Sequence, residues 1–149
     1  MNGWLLDTNV IAELRGARPE PKVAGWFNSQ PEYTLFLSIL TFGEYRKGIA
    51  KLAPGDNRRL RIQASVASLQ TRFSGRVLSL SDEIALRWGE ISGQVKRLTG
   101  QFPKVIDSFL AATAIEHNLY LATRNVADVA HSGAAVFNPW IDDPAGFPL

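Results

Sequence analysis

The segment LLDTNVIAEL at residues 5–14 places a short apolar run directly before three polar residues and a second apolar run after them. With Trp4 in front of it, the first run predicts a short buried strand that ends at Asp7. Residues 10–14 predict a short helix. A strand followed at once by a helix is the opening of a fold in which parallel strands alternate with helices.

The same alternation continues along the chain. Apolar and β-branched runs predict further strands at 33–38, 76–80, 119–122 and 134–137, and helices are predicted at 22–29, 41–52, 57–73, 82–98 and 103–118. Because strands separated by helices pair in parallel through right-handed crossovers, we expect an α/β fold with three layers, α/β/α. We place one domain at residues 1–141 and a loose C-terminal tail at 142–149, which is rich in proline and acidic residues.

Composition excludes several kinds of chemistry. The 149 residues include no cysteine, which excludes disulfides, thiolate catalysis and cysteine-bound zinc. The two histidines, His117 and His131, lack the short spacing of a paired-imidazole site. A formal net charge of +2 permits a nucleic-acid partner without requiring one. No run of about 20 apolar residues is present, and the first residues lack the pattern of a signal peptide. We therefore expect a cytoplasmic protein without a membrane span.

Acidic side chains recur at one predicted edge of the sheet. Asp7 ends the first strand, Glu44 lies in the helix after the second, and Asn125 and Asp128 follow the fourth, while Asp107 opens the helix that leads into the fourth. Ligands of such sheets bind at the carboxyl ends of the strands. Clustered carboxylates repel one another unless a cation lies between them, and hard oxygen donors favour Mg²⁺ or Mn²⁺. The pattern indicates metal-dependent hydrolysis of a phosphodiester.

Each acid also has a purely structural interpretation. Asp7 is suited to capping the next helix, and Glu44 has the capping-box spacing from Thr41. Asp107 is placed to complement a helix dipole, and Asp128 has the setting of a solvated turn residue. The prediction of a metal site therefore depends on the joint placement of the acids and not on any one of them.

Four blocks of sequence then resemble VapC-type PIN domains. They are LLDTNVIAEL at 5–14, LSILTFGEYRKGI at 37–49, IDSFLAATAIEHNLYLATRNVADV at 106–129 and VFNPW at 136–140. The FitB branch of that family is similar, particularly through VFNPW. The resemblance implies a single PIN-like domain with a five-stranded parallel sheet and Mg²⁺-dependent endoribonuclease activity. It also implies a homodimer and a small antitoxin partner of the VapB/FitA type that blocks the site, with DNA contacted only through that partner.

The resemblance also assigns roles within the acidic site. It maps the family's acids onto Asp7, Glu44 and Asp107, and we expect Asp7 and Asp107 to bind the metal while Glu44 positions or deprotonates water. The family often has aspartate directly after Thr-Arg, where this chain has Asn125. We predict that Asp128 supplies this fourth acidic group through water, and that Asn125 orients the phosphate or that water.

Supporting residues are predicted beside these acids. Thr8 and Thr123 fall on family motif positions, where a hydroxyl orients a carboxylate or a metal-bound water; turn capping is their alternative role. Arg46, Lys47 and Arg124 are placed near the predicted rim and suit RNA phosphates, with ordinary surface charge as the alternative.

Two functions follow from these predictions. The first is an endoribonuclease that forms the toxin half of a VapBC-type pair. The second is a FitB-like protein that acts mainly within a DNA-bound complex with its partner and has little or no nuclease activity. A binding module that has lost its chemistry would not need to retain three acids, and an aspartyl-phosphate phosphatase would need an acid where Asn9 stands.

Overall fold

The computed structural model describes all 149 residues as five strands and seven α-helices. Two further segments, Glu32–Thr34 and Pro144–Gly146, form single turns of 3₁₀-helix. No helix combines the length and the apolar character needed to cross a membrane. In chain order the elements are β1 (Trp4–Leu6), α1 (Thr8–Leu14), α2 (Pro21–Ser29), β2 (Leu35–Ser38), α3 (Ile39–Ala50), α4 (Arg58–Arg72), β3 (Val77–Leu78), α5 (Asp82–Thr99), α6 (Val105–Glu116), β4 (Tyr120–Ala122), α7 (Val126–Val129) and β5 (Val136–Phe137).

The five strands form one parallel sheet in the order β3-β2-β1-β4-β5. β2 and β3 lie on one side of β1, and β4 and β5 lie on its other side. Strand order therefore reverses between β1 and β4, and this switch point is where open parallel sheets bind ligands. The predicted five-stranded parallel sheet is confirmed.

Side chains alternate between the two faces of the sheet and build two cores. Trp4 and Leu6 of β1 belong to a core formed with α1, α2, α3 and α4, whereas Leu5 belongs to a second core formed with α5 and α6. The other strands follow the same two-residue period, as expected for strands buried on both faces. The predicted three-layer α/β/α arrangement is confirmed.

The C-terminal tail, predicted to be loose, packs against the first core. Phe147 lies 4.8 Å from Phe137 and 5.3 Å from Tyr120, measured between ring centroids. The Tyr120 hydroxyl donates a hydrogen bond of 3.0 Å to the carbonyl oxygen of Pro148. The prediction was wrong because proline and acidic composition says nothing about a single aromatic side chain that covers the edge of the core.

The start of α3 differs from the predicted capping box. The helix begins at Ile39, and the hydroxyl of Ser38 accepts a hydrogen bond of 3.1 Å from the backbone N–H of Leu40. Thr41 therefore lies inside the helix and does not cap it. Because β2 passes into α3 without a loop, the last strand residue is already the cap, and both Thr41 and Glu44 are free to face α1.

Candidate active site

Asp7 lies at the switch point and connects β1 to β4. Its backbone N–H donates to the carbonyl oxygen of Ala122 at 3.0 Å, which extends the sheet by one bond. Its Oδ2 atom accepts hydrogen bonds from the Thr123 hydroxyl at 2.7 Å and from the Asn9 amide at 3.2 Å. Asp7 occupies the N-cap position of α1, but its side chain makes no capping hydrogen bond. The carboxylate is thus held towards β4 by side chains, while the nearby backbone N–H groups of Thr8 and Asn9 also lower its pKa.

Glu44 is held from the other side of Asp7. The Thr8 hydroxyl donates to Oε1 of Glu44 at 3.0 Å, and the hydroxyls of Thr8 and Thr41 are 3.1 Å apart. A hydroxyl has one hydrogen, so Thr41 donates to Thr8 while Thr8 donates to Glu44. This chain of hydrogen bonds joins α1 to α3 and fixes the orientation of the Glu44 carboxylate.

Asp107 enters the site from α6. This helix runs antiparallel to the strand that follows it, so its first turn lies at the edge where the other strands end. Asp107 is the third residue of α6 and accepts no side-chain hydrogen bond. The positive charge of Lys104 lowers the pKa of this carboxyl, but no side chain holds the carboxylate by a hydrogen bond, which leaves its oxygen atoms free to bind a ligand.

These acids share one open cleft of about 400 Å³. It lies beyond the carboxyl ends of β1, β2 and β4, where the topology predicted a site. Its lining consists of Asp7, Thr8, Asn9, Ala12, Glu44, Lys104, Val105, Ile106, Asp107 and Asn125.

Burial and mutual repulsion disfavour the ionised form of all three carboxyl groups in the cleft. Burial raises the pKa of Asp7, and the hydrogen bond from Thr123 only partly opposes this. Burial also raises the pKa of Glu44, with a further contribution from the charge on Asp7. Asp107 has a raised pKa for the same two reasons, with burial again the larger. A cation bound among these carboxylates would relieve both the desolvation and the mutual repulsion.

Asn125 and Asp128 are separated in the structure. The short helix predicted after Thr123 is present as α7, and Asn125 precedes it and lines the cleft. Asp128 forms an ion pair of 3.2 Å with Lys104 and lines a neighbouring pocket. Its charge still contributes to the raised pKa of Asp107. Of the two candidates for the fourth position, the structure therefore brings only Asn125 into the cleft.

The three basic residues predicted at the rim take different positions. Lys47 lies close enough to Glu44 for its charge to lower the pKa of that carboxyl, in opposition to burial. Arg46 lines a separate groove between α3 and α4. The guanidinium of Arg124 lies 5.2 Å from the centre of the Trp140 ring. None of the three lines the acidic cleft.

Two cleft residues were missed by the sequence analysis. Asn9 bridges Asp7 and Thr123 with its amide group and accepts a hydrogen bond of 3.4 Å from the backbone N–H of Arg124. In the sequence, the position of Asn9 in the Asp-Thr-Asn segment could have indicated that it belongs to the site. Lys104 occupies the N-cap position of α6 and lines the cleft beside Asp107. In the sequence, only its position three residues before Asp107 could have indicated that Lys104 belongs to the site.

Thr123 provides a direct test of how the carboxylate of Asp7 is held. Thr123→Val removes the hydroxyl at nearly constant shape, so the pKa of Asp7 should rise further in metal-free protein. Thr123→Ser keeps the hydroxyl and should leave that pKa close to its original value. An NMR titration of the Asp7 side-chain carboxyl in EDTA would measure both. An equal pKa in the valine variant would show that this hydrogen bond does not tune Asp7.

The donor set fits a hard divalent cation. No three acidic or histidine side chains stand close enough together in the structure to share one ion. Mg²⁺ does not need three, because it usually keeps several waters and takes one or two protein carboxylates. Asp7 and Asp107 line the same cleft, and their oxygen atoms suit Mg²⁺ or Mn²⁺.

Comparison with known proteins places the chain in a family. Residues 4–127 match the PIN domain, and the chain therefore belongs to the PIN-domain family. It is 34% identical over 138 residues to Toxin FitB of Neisseria gonorrhoeae, covering 93% of this chain and 99% of that protein. It is 32% identical over 136 residues to VapC ribonuclease Y4jK of Sinorhizobium fredii, covering 91% and 96%. A solved structure of FitAB bound to the IR36 DNA fragment matches with a TM-score of 0.83 at 32% identity, covering 94% of this chain and 97% of that chain.

Proposed function

We propose that this protein is an Mg²⁺- or Mn²⁺-dependent endoribonuclease and the toxin component of a toxin–antitoxin pair. The observation that carries the proposal is the cleft at the switch point, where Asp7, Glu44 and Asp107 all have raised pKa values. The similarity to proteins named as a toxin and as a VapC ribonuclease supports RNA as the substrate.

Different side chains have different roles in the proposed hydrolysis of the phosphodiester. Asp7 and Asp107 would hold the metal ion, which when bound supplies a Lewis acid and neutralises charge on the phosphate. Glu44, oriented by Thr8, positions the attacking water and accepts its proton. A carboxyl whose pKa lies above its ordinary value is better matched to taking a proton near neutral pH. The exposed amino group of Lys104 lies at the cleft and is placed to bind a phosphate of the RNA.

Metal dependence is the experiment that tests the proposed activity. Partner-free protein should cleave RNA in Mg²⁺ or Mn²⁺ and should stop cleaving when EDTA is added, because the carboxylates alone cannot stabilise the reacting phosphate. Restoring excess metal should restore cleavage, which controls for irreversible damage. Cleavage that persists after exhaustive chelation would contradict the proposal.

A protein partner is the second part of the proposal. The relatives named Toxin FitB and VapC ribonuclease, and the solved FitAB complex bound to DNA, support an antitoxin partner of the VapB/FitA type. We further propose that the chain forms a homodimer and contacts DNA only through this partner, as the sequence resemblance implies. Expression of this chain alone should arrest growth. Co-expression with the small protein encoded beside it should restore growth and yield a complex that co-purifies. Normal growth with a folded and active protein would count against a toxin.

A FitB-like role within a DNA-bound complex is the alternative. The structural match to FitAB bound to a DNA fragment favours it, and so does Asn125, which brings an uncharged amide to the lining of the cleft. The two functions differ in one measurement. Partner-free protein that binds metal but cleaves no RNA, together with promoter DNA binding by the complex, would favour this alternative.

A further inference from the structure

A second pocket opens beside the acidic cleft and is lined by a different set of residues. It has a volume of about 240 Å³ and lies between the end of α5, the loop before α6, and α7 with the residues that follow it. Lys104 lines both the pocket and the cleft. Whatever occupies the pocket therefore lies next to a ligand in the cleft.

The lining of this pocket combines an aromatic face with polar side chains. Phe102 lies in the loop before α6 and is 68% exposed, and the amino group of Lys96 lies 5.3 Å from the centre of its ring. Gln101 and His131 add exposed polar groups. Pockets for drug-sized ligands span about 300–1,000 Å³, so a smaller pocket suits one planar group better than a whole nucleotide.

Asp128 gives the pocket its chemical preference. Lys104 binds Oδ2 of this carboxylate, while Oδ1 has no hydrogen-bond partner. An ionised carboxylate can only accept hydrogen bonds, so it selects a group that presents donors. Among the four RNA bases, guanine is the one that presents two adjacent donors, N1–H and N2–H, on its Watson–Crick edge.

We propose that this pocket binds a guanine base of single-stranded RNA next to the phosphodiester in the cleft. Phe102 stacks on the base, Asp128 accepts hydrogen bonds from its Watson–Crick edge, and Lys104 binds the phosphate between pocket and cleft. Aromatic stacking and edge recognition of unpaired bases are how proteins read single-stranded RNA. The proposal rests on the proposed function, because it takes RNA as the substrate. It also gives Asp128 a role in substrate specificity in place of the predicted role at the metal, because Asp128 lines this pocket and not the cleft.

Two RNAs that differ by one amino group test the proposal. The first is a nonaribonucleotide with one guanosine between two runs of four uridines, and the second has inosine in that place. Fluorescence anisotropy in EDTA, on protein carrying Asp107→Asn, measures binding without cleavage. The guanosine RNA should bind about tenfold more tightly than the inosine RNA, within the range for hydrogen bonds between a protein and a base edge. Equal affinities would overturn the proposal.

Two substitutions separate the contributions of the pocket. Asp128→Asn should reduce the guanosine-to-inosine affinity ratio to about one. Glu116→Gln, in another ion-paired carboxylate at the far end of α6, should leave this ratio unchanged. Phe102→Ala should weaken the binding of both RNAs by about tenfold, because stacking on the base is lost. Tyr33→Ala, at an exposed aromatic residue remote from the cleft, should leave both affinities unchanged. A ratio that survives Asp128→Asn would overturn the assignment of Asp128.

The remaining outcomes distinguish this subsite from the proposed function. If the unaltered protein cleaves RNA with Mg²⁺ but shows no preference for guanosine, the subsite is wrong and the nuclease stands. If the protein neither binds nor cleaves RNA, both are wrong. If Phe102→Ala changes the oligomeric state in size-exclusion chromatography and not RNA affinity, the face is a contact between copies of the chain, and the subsite is overturned.

Discussion

Asp107→Asn is expected to reduce RNA cleavage by roughly a thousandfold, because the loss of a proposed metal ligand should remove several kcal/mol of stabilisation from the reacting phosphate. The carboxylate of Asp107 lies in the cleft and makes no hydrogen bond that the amide would disrupt. The substitution therefore removes a charge and leaves the surrounding contacts in place. Asp7→Asn should reduce cleavage to a similar extent, although its hydrogen bonds from Thr123 and Asn9 make it less conservative.

The same substitution should stabilise the metal-free protein at neutral pH. The pKa values of Asp7, Glu44 and Asp107 lie above their ordinary values of 3.8, 4.5 and 3.8 in the folded protein. Between the ordinary and the raised pKa, the folded chain binds more protons than the unfolded chain. The free energy of unfolding therefore falls as the pH rises through this window, and the penalty is fully present above the raised pKa values. Removing one of the three charges relieves part of it.

Both effects can be measured on one preparation. Cleavage of a labelled RNA with Mg²⁺ gives the loss of activity, and urea unfolding in EDTA at pH 4 and pH 7 gives the stability change. Glu90→Gln, at an exposed acid of α5 outside the cleft, is the matched control and should change neither. Near-normal turnover of the Asp107→Asn protein would remove Asp107 from the metal site. A loss of stability at pH 7 would mean that the charge of Asp107 supports the fold.

The sequence predicted the site because topology alone brings its acids together. Asp7 and Glu44 follow strand ends, and Asp107 opens a helix that returns to the same edge, so the order of the elements was sufficient. The resemblance to PIN domains named the same three residues. The alternation of strands with helices likewise predicted helix layers on both faces of the sheet, and the strands do contribute side chains to two cores.

Contacts between side chains on different elements could not be predicted in the same way. The pairing of Lys104 with Asp128 joins residues from two helices, and it moves Asp128 away from the place that its spacing from Asn125 indicated. The bond between Thr8 and Thr41 likewise depends on how α1 packs on α3. The three-residue spacing between Thr41 and Glu44 fits a capping box, and the sequence analysis predicted one. Such local spacing carries no information about Thr8, the distant residue that Thr41 contacts in the structure.

Asn125 is the position where one substitution should strengthen metal binding at the proposed site. Asn125→Asp adds a carboxylate to the lining of the cleft, at the position where the resemblance to PIN domains implies an acid. Aspartate and asparagine are equally good N-cap residues, so α7 should be unaffected. A fourth negative charge near the cation should tighten Mn²⁺ binding by about tenfold, since one added charge a few ångströms away contributes on the order of 1 kcal/mol or more near a protein surface.

The added carboxylate of Asn125→Asp should have the opposite effect on the metal-free protein, because it increases the repulsion already felt by Asp7, Glu44 and Asp107. Calorimetric titration with Mn²⁺ should therefore show tighter binding, while urea unfolding in EDTA at pH 7 should show a lower free energy of unfolding. Asp128→Asn is the informative comparison. Asp128 is paired with Lys104 outside the cleft, so its loss should change Mn²⁺ affinity much less than the gain at Asn125. A larger loss of affinity in Asp128→Asn than the gain in Asn125→Asp would return the fourth acidic role to Asp128.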